Sequence, residues 1–228
     1  MFCSNCGTPL GPEVRVCPQC GRAQTPVFTN APVWTPPIGA KAQTGRWISA
    51  GWNMVTADLG NFALVSLIFL LVNSVASIVT QGPLQTGFHL YCMKKLFNKR
   101  YDIGDIFKGF DFFLPAFVAA LLIGIFVFAG SLLCIIPGLV VASMYKFTYL
   151  FILDKRMDFW PAMQASHDVV KGDYFGFTIF LLAMAGINIL GFICCIVGLL
   201  ITIPVSVAAI TIAYQELVGF DQRTVDAL

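Results

Sequence analysis

Charge is what this chain has least of. Only 11% of its 228 residues are charged, against roughly a quarter in soluble domains, while 57% are apolar. This balance excludes an ordinary soluble fold and reads as an integral membrane protein. The net charge of +2 is too small to argue for a nucleic-acid partner. Histidine is also scarce. His89 has no second histidine or carboxylate three or four residues on with which to pair on a metal, and no serine or cysteine nucleophile motif accompanies His167-Asp168. Walker, Rossmann and hydrolase motifs are absent. The Met1 end lacks the basic-then-apolar run of a secretory leader, so the N-terminus is expected to stay on the cytoplasmic side.

What fills the chain instead is long charge-free sequence. Between Asp111 and Asp154 lie 42 residues with one charge, Lys146. At about 1.5 Å per residue a helix of that length covers about twice the bilayer core. It is therefore expected to cross and return, with the reversal at Ile136-Pro137-Gly138, where proline removes a backbone donor and glycine allows a tight turn.

The first 22 residues, MFCSNCGTPLGPEVRVCPQCGR, carry Cys3, Cys6, Cys17 and Cys20 as two Cys-x2-Cys knuckles, each followed by glycine. Four thiolates at this spacing can converge on one tetrahedral Zn²⁺. A segment so short buries no useful core, so the metal must supply its folding free energy. Four thiolates also suit iron in a rubredoxin-like site. Two disulfides are the other alternative, disfavoured because nothing points to an oxidising compartment. No ligand position is left open, so the site reads as structural. The pattern FCSNCG with VCPQCG resembles the short zinc ribbon found at the N-terminus of many prokaryotic proteins. Residues 23–45 follow as a linker with Pro26, Pro32, Pro36 and Pro37 and no apolar periodicity.

From Arg46 the pattern predicts a helix lying in the membrane interface, with Trp47, Ile48, Gly51, Trp52 and Val55 at helical spacing and the tryptophans at headgroup depth. Three blocks then align. Asp58, Asp111 and Asp173 each lead an apolar run to a proline, Pro83, Pro137 and Pro204, at distances of 25, 26 and 31 residues. Each proline is followed by a second apolar helix, and each block is preceded by an amphipathic segment. The predicted fold is all-α, with six transmembrane helices as three hairpin repeats with interfacial helices spanning residues 46–220, a short tail at 221–228, and the zinc ribbon at 1–22. The hairpin tips at 81–83, 136–138 and 197–204 carry no charge. Lys94, Lys95, Lys99, Arg100, Lys108, Lys155, Arg156 and Lys171 lie towards the other side, which the positive-inside rule places in the cytoplasm. Both termini are expected there, in the cytoplasmic (inner) membrane of a prokaryote.

Gly82-Pro83-Leu84 with Gly87, the run from Asp105 to Phe110, Ile136-Pro137-Gly138 with Tyr145, and Ala165-Ser166 before Lys171-Gly172 resemble the membrane portion of some glycerophosphodiester phosphodiesterases and related prokaryotic membrane proteins. Their soluble catalytic domain has no counterpart here, so the resemblance implies a fold and no activity.

Few polar residues fall inside the apolar runs: Asn73, His89, Lys146, Asn188 and Glu216. Lys146 is about 12 Å of helix from Asp154 and is expected to snorkel to the interface. Asn73 and Asn188 are expected to hydrogen-bond neighbouring helices, Cys92, Cys134, Cys194 and Cys195 to pack as small apolar groups, and Gly124, Gly130, Gly186, Gly191 and Gly198 to allow close helix approach. The expected function is non-enzymatic, with the ribbon recruiting a cytosolic protein partner to the membrane. The alternative is a lipid or small-molecule transporter or scramblase-like protein, which requires a cavity lined by Asn73, His89, Lys146 or Asn188.

Overall fold

The computed structural model describes residues 36–228 apart from 38, 134, 195 and 196. The four ribbon cysteines and most of the linker lie outside the described residues. Among those described, every regular element is a helix. In order these are α1 (Thr44–Thr56), α2 (Leu59–Leu96), a 3₁₀ helix (Ile103–Phe112), α3 (Phe113–Leu133), α4 (Ile135–Met144), α5 (Thr148–Lys155), α6 (Phe159–Val170), α7 (Tyr174–Ile193), α8 (Leu199–Leu217) and α9 (Gln222–Asp226). Four stretches are long and apolar enough to cross a membrane: Ile103–Leu132, Ile136–Lys155, Tyr174–Ile193 and Leu199–Leu217. Large apolar side chains face outward along them, among them Leu114, Phe128, Leu132, Phe175 and Ile193, as lipid-facing helices require.

The helix α2 is not one rod. In a straight helix Phe62 and Tyr91 would stand about 43 Å apart, yet their rings meet edge to face at 5.2 Å. Phe69 lies 5.7 Å from Phe88, and Asp58 pairs with Lys95 at 3.2 Å. The chain doubles back near residues 76 and 77. The Thr80 hydroxyl ties the legs close to that tip by donating to Asn73 Oδ1 at 3.4 Å. The next reversal falls between α3 and α4, where Phe126 meets Tyr145 at 6.0 Å, and another between α7 and α8, where Asn188 Nδ2 donates to Ser206 Oγ at 2.8 Å.

The reversals sit earlier in the chain than the prolines: the first two precede the expected tips at 81–83 and 136–138, while the third, between Ile193 and Leu199, overlaps the start of the tip expected at 197–204. Pro137 is the third residue of α4, and Pro83 and Pro204 lie inside the returning helices. Only Pro137 stands in the opening turn of its helix, where its missing N–H has no intrahelical partner. Pro83 and Pro204, the latter the sixth residue of α8, lie deeper in their return legs and each removes one ladder bond there.

The amphipathic segments pack on the legs. α1 and α2 meet at a bend of 101°, and α1 turns its buried stripe of Trp47, Gly51 and Val55 onto α8, where Gly51 lies against the backbone of Val205 and Ala209. Trp47 is therefore buried in the protein core rather than turned outward. It packs on Phe180 at 5.1 Å and donates its indole N–H to Glu216 at 2.9 Å. The 3₁₀ helix packs on the returning leg of α2, with Gly109 against Pro83 and Gly87 against Ile106. α6 packs on α5, and here a side chain interrupts the helix: Ser166 Oγ donates to the Met144 carbonyl at 2.7 Å and accepts from the Phe147 N–H at 3.1 Å. Insertion of a side chain into the backbone ladder breaks a helix. This separates α4 from α5 at residues 145–147, where the sequence pattern predicts continuous helix.

Two boundaries also differ from the sequence reading. The end of the expected linker is docked, since Ala40 is buried and the Ala42 N–H reaches Asp173 Oδ2 at 3.2 Å. The expected tail forms α9, with Val225 buried and Thr224 donating to the Asp154 carbonyl at 2.7 Å. Of the glycines expected at close contacts, Gly130 meets Gly138 and Gly191 meets Gly198, while Gly124 and Gly186 face open space.

Candidate functional site

The break after α4 places Lys146 on a cavity of about 210 Å³. Its walls come from both legs of α2 (Phe69, Gln85), from the α4–α5 break (Lys146), from α7 (Leu181, Met184, Ala185, Asn188) and from α8 (Ile203, Ser206, Val207, Ile210). Lys146 does not snorkel away. Among the described residues it also has no carboxylate within ion-pair distance, unlike Lys94, Lys95, Lys108, Lys155 and Lys171, each of which has one.

Asn188 is fixed in the same wall. Its Nδ2 donates to the Met184 carbonyl at 2.9 Å and to Ser206 Oγ at 2.8 Å, and the Ser206 hydroxyl in turn donates to the Thr202 carbonyl. That network leaves Asn188 Oδ1 buried without a partner. Of the polar residues picked out in the apolar runs, the cavity thus brings together Lys146 and Asn188, and adds Gln85 and Ser206. These two were missed because an isolated glutamine or serine in an apolar run carries no periodic signal.

His89 is buried on the returning leg of α2, beside the cavity and not in its lining. Its Nδ1 lies 2.9 Å from Thr211 Oγ1, and the Thr211 hydroxyl donates to the Val207 carbonyl at 2.9 Å. The Thr211 oxygen therefore accepts from Nδ1–H, which leaves Nε2 as the bare nitrogen, and Nε2 has no partner. Asn73 sits instead at the α2 tip, Glu216 binds Trp47 and Arg46, and His167 pairs with the Tyr174 hydroxyl at 2.8 Å on the surface. Cys92 is buried and Cys194 exposed.

The opposite ends of the returning legs are held by carboxylates. Asp105 is nearly fully buried and receives Lys94 at 2.8 Å, Lys108, and the Asp102 N–H at 2.8 Å. Asp154 accepts from the Tyr214 hydroxyl at 2.9 Å and the Asp221 N–H at 2.8 Å. Asp58 is partly desolvated, which opposes its charge, but the Tyr101 hydroxyl, Asn61 and Lys95 outweigh this and hold its carboxyl below the usual range. The backbone N–H of Arg223 does the same for Asp221. All of these groups are spent on one another, so this end of the molecule is structural cement.

The metal centre read from the sequence lies elsewhere. No group of three or more His, Cys, Asp or Glu able to hold a metal occurs among the described residues. Residues 2–23 match the model of a zinc-ribbon domain. The N-terminus is a zinc ribbon. Its donor set of four soft thiolates, Cys3, Cys6, Cys17 and Cys20, suits Zn²⁺ held for structure. The chain is also 29% identical over 182 residues to uncharacterised proteins of Mycobacterium bovis and Mycobacterium tuberculosis, a match covering 80% of this chain and 55% of each relative. The match thus spans about half the length of these curated relatives. No solved structure matches.

Proposed function

We propose that the protein is a non-enzymatic membrane module that carries its zinc ribbon as a cytosolic arm for binding a protein partner. The observation that carries the membrane part is the way the short helices pack. Each lies on the returning leg of the preceding hairpin: the 3₁₀ helix on α2, α6 on α5, and α1 on α8, the last leg of all. Such packing, in this reading, links three hairpins of like units, six legs in all. In this reading the uncharged tips face outward from the cell and the carboxylate-tied ends, with both termini, face the cytoplasm of a prokaryotic inner membrane. The resemblance of short motifs in residues 46–220 to the membrane portion of glycerophosphodiester phosphodiesterases is an expectation about this architecture alone.

A reporter fused after Arg100 is expected to stay cytoplasmic, and tags inserted after Ile78, Ile136 or Val197 to be exported. An exported reporter after Arg100 overturns the six-leg topology. Affinity capture from detergent tests the arm. The expected result is a cytosolic protein retained by the intact chain and lost from the Cys17→Ser variant; equal capture by both removes the ribbon's role.

A second reading is favoured by a specific observation. The cavity bearing Lys146 and Asn188 is the feature that a lipid or small-molecule transporter or scramblase-like protein requires.

A further inference from the structure

We infer that the Lys146 cavity binds the headgroup of an anionic lipid, one in which a phosphate stands beside a hydroxyl. The inference rests on the second reading above, that this cavity is a ligand site, and names what enters it.

Ionisable side chains inside membrane-crossing segments pair with one another or mark a binding path. Lys146 has no carboxylate partner among the described residues and sits beside walls of Phe69, Met184, Val207 and Ile210, so an anion is what its three N–H donors require. Asn188 Oδ1 is held in place and lacks a donor, which calls for a hydroxyl next to that anion. Gln85 can supply either role. The volume of about 210 Å³ suits a headgroup and is below the roughly 300 Å³ at which pockets take a whole drug-sized molecule. Acyl chains would have to stay outside. The mouth fits that, because Ala185 is exposed and Leu181 half-exposed on α7, whose outward side chains Leu182 and Ile189 are apolar and exposed.

The test uses the full chain in detergent with phosphatidylglycerol, phosphatidylcholine and glycerol 3-phosphate as probes, read by native mass spectrometry. Phosphatidylglycerol should bind at least about tenfold tighter than phosphatidylcholine, a modest expectation for a buried charge pair. Lys146→Gln should remove that preference and Lys146→Arg keep most of it, with lipid-free melting curves of both close to the parent as a check on folding. Equal binding of the two lipids by the parent chain overturns the proposal. Glycerol 3-phosphate binding as tightly as the lipid, with the same dependence on Lys146, overturns the lipid assignment in favour of a soluble phosphate. Ala185→Trp, which fills the mouth, separates the two layers of the argument. If it abolishes binding while Lys146→Gln does not, the cavity is a site but the anion assignment fails. If it leaves phosphatidylglycerol binding unchanged, the cavity is not the site.

Discussion

Gly87→Ala is expected to lower the melting midpoint of the detergent-solubilised protein more than any substitution on its lipid-facing surface. A methyl group at Gly87 would fall on the carbonyl of Ile106, and one at Gly109 on the carbonyl of Pro83. Both obstacles are backbone, so no rotamer change relieves the clash. Either the 3₁₀ helix lifts from α2 or the leg bends. Ile106 is fully buried in the cluster that includes Phe62, Leu84, Phe88 and Tyr91, and Lys94 reaches Asp105 across the same contact, so lifting would open both. The expected cost is about 3 kcal/mol, the upper part of the usual range for overpacking. Gly124→Ala and Gly186→Ala supply the contrast. Nothing lies within 4 Å of a methyl group at either position, and alanine is the better helix former by about 1 kcal/mol, so both should be neutral or slightly stabilising. A Gly87→Ala protein that melts with the parent would mean that the 3₁₀ helix does not pack on α2 as described.

Loss of zinc is the second large effect, and it should be confined to the ribbon. Purified protein is expected to hold one zinc per chain, with Zn–S distances near 2.3 Å by X-ray absorption. Structural zinc in comparable peptides binds with about 10–16 kcal/mol at neutral pH, far more than a 22-residue segment could gain from burial. Cys17→Ser leaves three thiolates and should abolish stoichiometric zinc. The same variant should melt like the parent in its membrane part, because the proline-rich sequence between the two parts is expected to act as a spacer and the helices satisfy their backbone groups within themselves. Undiminished zinc in the variant removes the four-cysteine site. A large fall in the membrane melting midpoint removes the independence of the two parts.

The sequence by itself determined the chemistry that is local. Cys-x2-Cys spacing needs no tertiary partner to be read, and it located the ribbon that the family match then covers. Long runs almost without charge dictated membrane-crossing helices, because lipid offers a backbone nothing else to bond with. Asp158 and Asp173 cap their helices as a short acceptor at an N-terminus should.

What only the tertiary structure decided depends on atoms far away in the chain. Trp47 shows this most simply, since a tryptophan stripe at helical spacing serves equally for headgroups or for a core, and the close approach of Gly51 to α8 chose the core. The reversals fall before the prolines, with Pro137 in the opening turn of α4 and Pro83 and Pro204 deeper in their legs, because a proline's presence does not say on which side of the turn it lies. The break at residues 145–147 is made by Ser166, twenty residues on and in the next hairpin, whose hydroxyl takes over the bonds of Met144 and Phe147. That break turns Lys146 from a side chain bound for the interface into one that lines a cavity. The cavity itself has walls from four separate helical segments, and no periodicity within any one of them encodes the space left between them.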